Sequence, residues 1–72
     1  MNRMMLIKTE HDLFTINGLK EVYISHHLIY KLIVVDMSNK YCVFWSLNEK
    51  NLLPLKEKII KADQKEEFIV YL

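Results

Sequence analysis

The sequence predicts an α+β fold: an antiparallel sheet of five or six strands, meander-like and able to curl, with one helix packed on one face. Three observations predict it. β-forming runs separated by short polar turns fill the chain as far as Leu47. Leu52 to about Lys65 carries apolar residues at helical spacing. Five β-formers, Phe68 to Leu72 (FIVYL), follow it. Runs of strands followed by a helix point to an antiparallel sheet with that helix on one face.

Taken in order, Met4 to Thr9 (MMLIKT) reads as a strand ended by the turn Glu10-His11-Asp12, and Leu13 to Ile16 resumes it. Asn17-Gly18 is the strongest turn dipeptide in the chain. Leu19 to Ser25 alternates as a half-exposed strand, and His26-His27 break it. Leu28 to Met37 is apolar on both parities, the mark of a central strand. Ser38-Asn39 turns the chain into Lys40 to Leu47. A two-residue loop there would set Val35 against Cys42, Ile33 against Phe44 and Lys31 against Ser46. The other side would hold Asp36 against Tyr41, Val34 against Val43 and Leu32 against Trp45. The helix is expected to start at an Asn51 cap, with Pro54 in its first turn and Leu52, Leu55, Ile59 and Ile60 on one face. Glu57 and Lys61 suit an i,i+4 pair on its outer side. The final run, Phe68 to Leu72, is expected to be a strand, with continuation of the helix as the alternative.

Length and composition bound the function. The 72 residues form a single domain, 1–72. Hydrophobic residues make up 51%, with one Gly and one Pro, which excludes a disordered chain. A domain this small buries only about 60% of the surface of its unfolded chain. Both sides of the central hairpin are apolar, yet a single helix is available to cover them, so one face is expected to form an interface. Net charge is +1, and Arg3 is the sole arginine, which disfavours a dedicated nucleic-acid binder. The single cysteine, Cys42, rules out an internal disulfide and suits a reducing compartment. With no apolar leader segment, a cytoplasmic protein is expected. No apolar run reaches the length of a membrane span.

Candidate chemistry is sparse. His11, His26 and His27 with Glu10 and Asp12 could gather at one end of a meander, but zinc-type ligand spacing is missing, and solvated turn histidines are expected. Cys42 is expected to be a buried small hydrophobe. No Gly-rich loop or carboxylate pair suggests catalysis, so no catalytic, cofactor-binding or metal-binding residue is expected. Aromatics are the sharper signal. The register above places Tyr30, Tyr41 and Trp45 on one sheet face with Leu32, Val34 and Val43. With Tyr23 these residues form the expected interface. If the helix covers that face, the opposite one, with Ile29, Ile33, Val35, Cys42 and Phe44, is left over. The expected function is a non-enzymatic protein-binding module, homodimeric or with a protein partner. The alternative is a single-stranded nucleic-acid-binding module, with Lys20, Lys31 and Lys40 beside the aromatics.

Met5 to Thr9, Gly18 to Ile24 and the hairpin and helix from Lys31 to Ile60 together resemble a diffuse group of small uncharacterised proteins from Gram-positive bacteria and their phages. The chain departs from their pattern in its Ser38-Asn39 turn, in Pro54 and in the tail Phe68 to Leu72. The resemblance implies a compact β-rich fold with a C-terminal helix and brings no catalytic residues. By analogy with phage-encoded members, it implies binding to a host protein, with inhibition of a host defence factor as one outcome.

Overall fold

The computed structural model describes residues 3–72. In chain order it contains β1 (Met4–Lys8), β2 (Leu13–Asn17), β3 (Glu21–His27), β4 (Ile29–Val35), β5 (Lys40–Ser46), a 3-10 turn (Glu49–Asn51), α1 (Leu53–Gln64) and β6 (Ile69–Tyr71). The six strands form two sheets of three, ordered β2-β1-β6 and β3-β4-β5. The α+β class stands, and the single five- or six-stranded meander does not. Asn17-Gly18 does turn the chain, with Gly18 at φ 71°, but it closes no hairpin. The backbone N–H of Lys20 instead donates to Val35 O at 2.8 Å, which carries the chain into the second sheet. A flat six-stranded sheet has two apolar faces and one helix to cover them. Splitting it lets two inner faces cover each other.

Direct partners in an antiparallel ladder share a face, so register fixes what is inside. Met5 opposes Ile16 and Ile7 opposes Phe14 on the inner face of the first sheet. Ile24 opposes Leu32 and Val22 opposes Val34 on the inner face of the second. The sheets meet where Phe14 of β2 packs edge-on against Tyr41 of β5, ring centroids 5.8 Å apart. On the other side α1 packs against β3 and β6. Met5, Ile7, Ile16, Leu32, Leu52 and Ile59 are wholly buried in the resulting core. Each contributes on the order of 2 kcal/mol by leaving water.

The helix begins one residue later than an Asn51 cap would place it, with Leu52 at the cap position. Asn48 caps the preceding 3-10 turn, its side chain accepting from Lys50 N, while the Asn51 amide donates to Ser46 Oγ at 2.9 Å. Pro54 lies in the first turn of α1. Ile59 and Ala62 are its buried residues, with Leu55 packed against the core. Glu57 and Lys61 approach to 3.7 Å. The helix stops in a left-handed cap: Glu66 has φ 57° and Glu67 N donates to Ala62 O at 2.9 Å. The tail then forms β6, parallel to β1 with Leu6 opposite Ile69. A parallel partner needs a long crossover, and everything from β2 to α1 supplies it. Arg3 fastens the same corner, donating to Glu67 O at 2.7 Å and to Asp63 Oδ1 at 3.0 Å.

Asp36 joins the two sheets. It is the buried charged residue of the fold, 3% exposed. Its carboxylate accepts from Asn17 N at 3.0 Å, at the end of β2, and from Ser38 N and Asn39 N at 2.8 and 2.7 Å in the β4–β5 turn. Met37 N returns a bond to Asn17 O at 3.1 Å. The N–H groups of Asn17, Asn39 and Ser38 hold the carboxyl below its ordinary range, outweighing the opposing effect of desolvation. A lowered native value means that this stabilisation is complete above the unfolded carboxyl's pKa of about 4 and is lost as pH falls through the native value.

Two substitutions test these features of the fold. Asp36→Asn should lower Tm at neutral pH by roughly 5 °C or more, and the gap from wild type should shrink as pH drops below about 4. A gap that stays constant down to low pH contradicts the ionised staple. Glu66→Gly should raise stability by about 1 kcal/mol, because glycine adopts the left-handed cap without strain. Urea denaturation checks it, and an unchanged or lowered midpoint contradicts the cap.

Candidate docking surface

One irregularity in β5 decides which side chains face out. Val35 opposes Lys40, Val34 opposes Tyr41 and Ile33 opposes Cys42. A bulge follows, and the register resumes with Leu32 opposite Phe44, Lys31 opposite Trp45 and Tyr30 opposite Ser46. Val43 is the extra residue. The turn accounts for the first part of the difference from the expected ladder. It spans Asp36 to Asn39, closed by Asp36 N donating to Asn39 O at 2.9 Å, rather than Ser38-Asn39 alone. The bulge accounts for the second. It moves Trp45 from the side of Leu32 and Tyr30 to the side of Lys31, and Phe44 the other way.

The seven expected interface residues are thereby divided. Leu32 and Val34 are 0% exposed and Val43 is 5% exposed, so these three belong to the core and offer nothing to a partner. Tyr30 and Tyr41 are half-buried against that core. Tyr30 is also covered by His26, whose ring stacks on it at 4.0 Å. Only Tyr23 and Trp45 remain on the opposite face, Tyr23 half-buried and Trp45 60% exposed.

That outer face of β3-β4-β5 reads in rungs. Tyr23, Ile33 and Cys42 form one, and Ser25, Lys31 and Trp45 the next. Glu21, Val35 and Lys40 form the rung at the turn end. Ile33 is only 9% exposed, yet it lies outside the buried core cluster. Its cross-strand partners are Tyr23 and Cys42, while the buried helix residues Ile59 and Ala62 belong to the core cluster on the inner side. Cys42 is exposed, not buried as expected, because its partner is Ile33 on this face. Its thiol donates to Phe44 O at 3.5 Å. At the far end, Leu28 forms the tip of the β3–β4 hairpin with φ 71° and is 89% exposed, and Leu47 beyond β5 is 76% exposed. His26 and His27 lie within β3, and the chain turns at Leu28 instead.

The histidines do not converge. His11 is in the β1–β2 turn, 4.0 Å from Glu10, whereas His26 and His27 end β3 at the opposite edge of their sheet from β5. Among the described residues no three His, Cys, Asp or Glu side chains gather as a metal site would require. The sole arginine is engaged with Asp63 and Glu67. An open groove of about 300 Å³ lies between the β1–β2 turn, Thr9 to Asp12, and Val43, Phe44 and Trp45 of β5. Sequence reasoning missed this groove, because nothing local says that β5 lies beside that turn. It could have found Asp36, since Asp followed by Ser38-Asn39 is a side-chain-capped turn pattern.

No protein-family model, curated protein or solved structure matches this chain. No helix among the described residues is long and apolar enough to cross a membrane.

The division of faces has a direct energetic consequence. Leu32→Ala should cost about 2–5 kcal/mol of stability by opening a core cavity, whereas Trp45→Ala should cost less than about 1 kcal/mol despite deleting the larger side chain. Urea denaturation of both variants checks it, and a larger loss for Trp45→Ala would contradict the outward tryptophan.

Proposed function

We propose that this protein is a non-enzymatic protein-binding module that docks through the outer face of β3-β4-β5, with a second copy of itself as the first partner. The observation that carries this reading is Trp45: a tryptophan 60% exposed on the outer face, with half-buried Tyr23 and buried Ile33 in the neighbouring rung, none of the three in the buried core cluster. Aromatic anchors around a desolvated aliphatic centre are the usual energetic core of an interface. Glu21 and Lys40 stand at opposite edges of the same rung. A two-fold axis along β4 would bring each against its opposite on the partner copy, an isologous arrangement. Three strands of seven residues present a footprint of roughly 350 Å². That is below the roughly 800 Å² per partner of a standard interface, so this face alone supports concentration-dependent self-association. Inhibition of a host defence protein rests on the phage-protein resemblance alone.

Sedimentation across the micromolar range tests the docking face. The wild-type mass should climb from 8.7 kDa toward twice that value, and Cys42 alkylation should slow in parallel. Tyr23→Lys should stay monomeric, with its alkylation rate independent of concentration. A wild-type chain that remains at 8.7 kDa at every concentration rules out self-association.

A second reading has its own observation. Lys31 is the direct cross-strand neighbour of Trp45, and Lys40 and Tyr23 share the face. Single-stranded nucleic acid binds to such mixtures of flat rings and cations. Short oligonucleotides should then quench Trp45 fluorescence in a salt-sensitive way; no quenching at low salt removes this reading.

A further inference from the structure

The groove beside β5 has a chemistry different from that of the outer face. The two sheets touch at Phe14 and Tyr41, and a groove lies between the Thr9–Asp12 turn and Val43, Phe44 and Trp45. Phe44 is 37% exposed and Trp45 60% exposed, so both have surface free for a ligand. The facing rim contains two carboxylates, Glu10 and Asp12, with His11 between them. Among the described residues neither carboxylate pairs with a lysine or arginine; Glu10 has only His11, at 4.0 Å. The nearest cation in sequence, Lys8, donates to Thr9 O at 2.6 Å and is not a wall of the groove.

Size and charge narrow the occupant. About 300 Å³ is at the bottom of the range for ligand pockets, enough for a side chain and too small for a nucleotide or a large cofactor. The acidic rim repels phosphate and carboxylate ligands. The apolar and aromatic wall favours a ligand with a hydrocarbon stem. A long cationic side chain meets both demands, lying along apolar surface while its charged head reaches carboxylates and an aromatic face. We propose that this groove takes a lysine or arginine side chain presented by a protein partner. The proposal deepens the docking reading and rests on it, since Trp45 belongs both to the groove wall and to the outer face.

The test uses the full chain, isotope-labelled for NMR, and three blocked tripeptides with arginine, norleucine or glutamate between glycines. The arginine peptide should shift the amides of Thr9 to Asp12 and Val43 to Trp45 saturably. It should bind at least about fivefold more tightly than the other two, with the preference fading as salt rises. Glu10→Gln with Asp12→Asn should abolish the preference, and since neither carboxylate holds a structural bond, the variant should fold as wild type does. Equal shifts from all three peptides, shifts elsewhere on the protein, or none at millimolar peptide overturns the proposal. If the arginine peptide fails while wild-type chains self-associate and Tyr23→Lys does not, the groove falls and the docking face stands. If the peptide binds while no self-association occurs, the groove stands and the self-docking reading falls.

Discussion

The fold depends on one buried carboxylate. Asp36 is the residue at which the end of β2 in one sheet meets the β4–β5 turn of the other, and its oxygens satisfy three backbone N–H groups there. An apolar side chain in its place would leave these three N–H groups without their acceptor at a part-buried junction. The bond between Met37 N and Asn17 O lies beside it. Once this corner is tied, the inner faces of the two sheets are held together, and α1 has only the gap between β3 and β6 to fill. That placement removes the helix from the outer face of β3-β4-β5.

The second constraint is the bulge at Val43. Without it, strict alternation from Cys42 would pair Trp45 with Tyr30, on the core side of the sheet. The extra residue leaves Val43 inward, where it is 5% exposed, turns Phe44 to the side of Leu32 and sends Trp45 outward. It also leaves Phe44 on the groove side. One inserted residue on an edge strand thus creates both surfaces on which the functional reading depends. Bulges on edge strands also discourage indiscriminate strand pairing, which suits a chain with an apolar outer face.

Local chemistry in the sequence specified most elements. Strand periodicity located β1, β2 and β5 to within a residue or two, helical spacing located α1, and the β-formers of Phe68 to Leu72 correctly announced β6. Pairing was less accessible. Asn17-Gly18 has the residues of a hairpin turn, yet a left-handed Gly18 serves equally well to pass the chain between sheets. His26-His27 looked like a break because histidine is polar, whereas the hairpin closes on Leu28, a residue that rarely adopts positive φ. A bulge carries no residue signature, so the face of every side chain after Val43 was unreadable from alternation. Three of the expected interface residues, Leu32, Val34 and Val43, do share one face as alternation implies, but the first sheet and the helix pack against that face and make it core. Tyr23 and Trp45 ended together on the free face by a different geometry from the one expected.

The bulge sets Trp45 on the free face of β3-β4-β5, opposite Lys31 and one rung from Ile33. Proton–proton distances from the Trp45 indole, measured by NOE in dilute protein, test it most directly. Cross-peaks to the Lys31 methylenes and none to the Leu32 methyls are expected. Cross-peaks from the indole to Leu32 and Tyr30 would place the tryptophan inside and contradict the account.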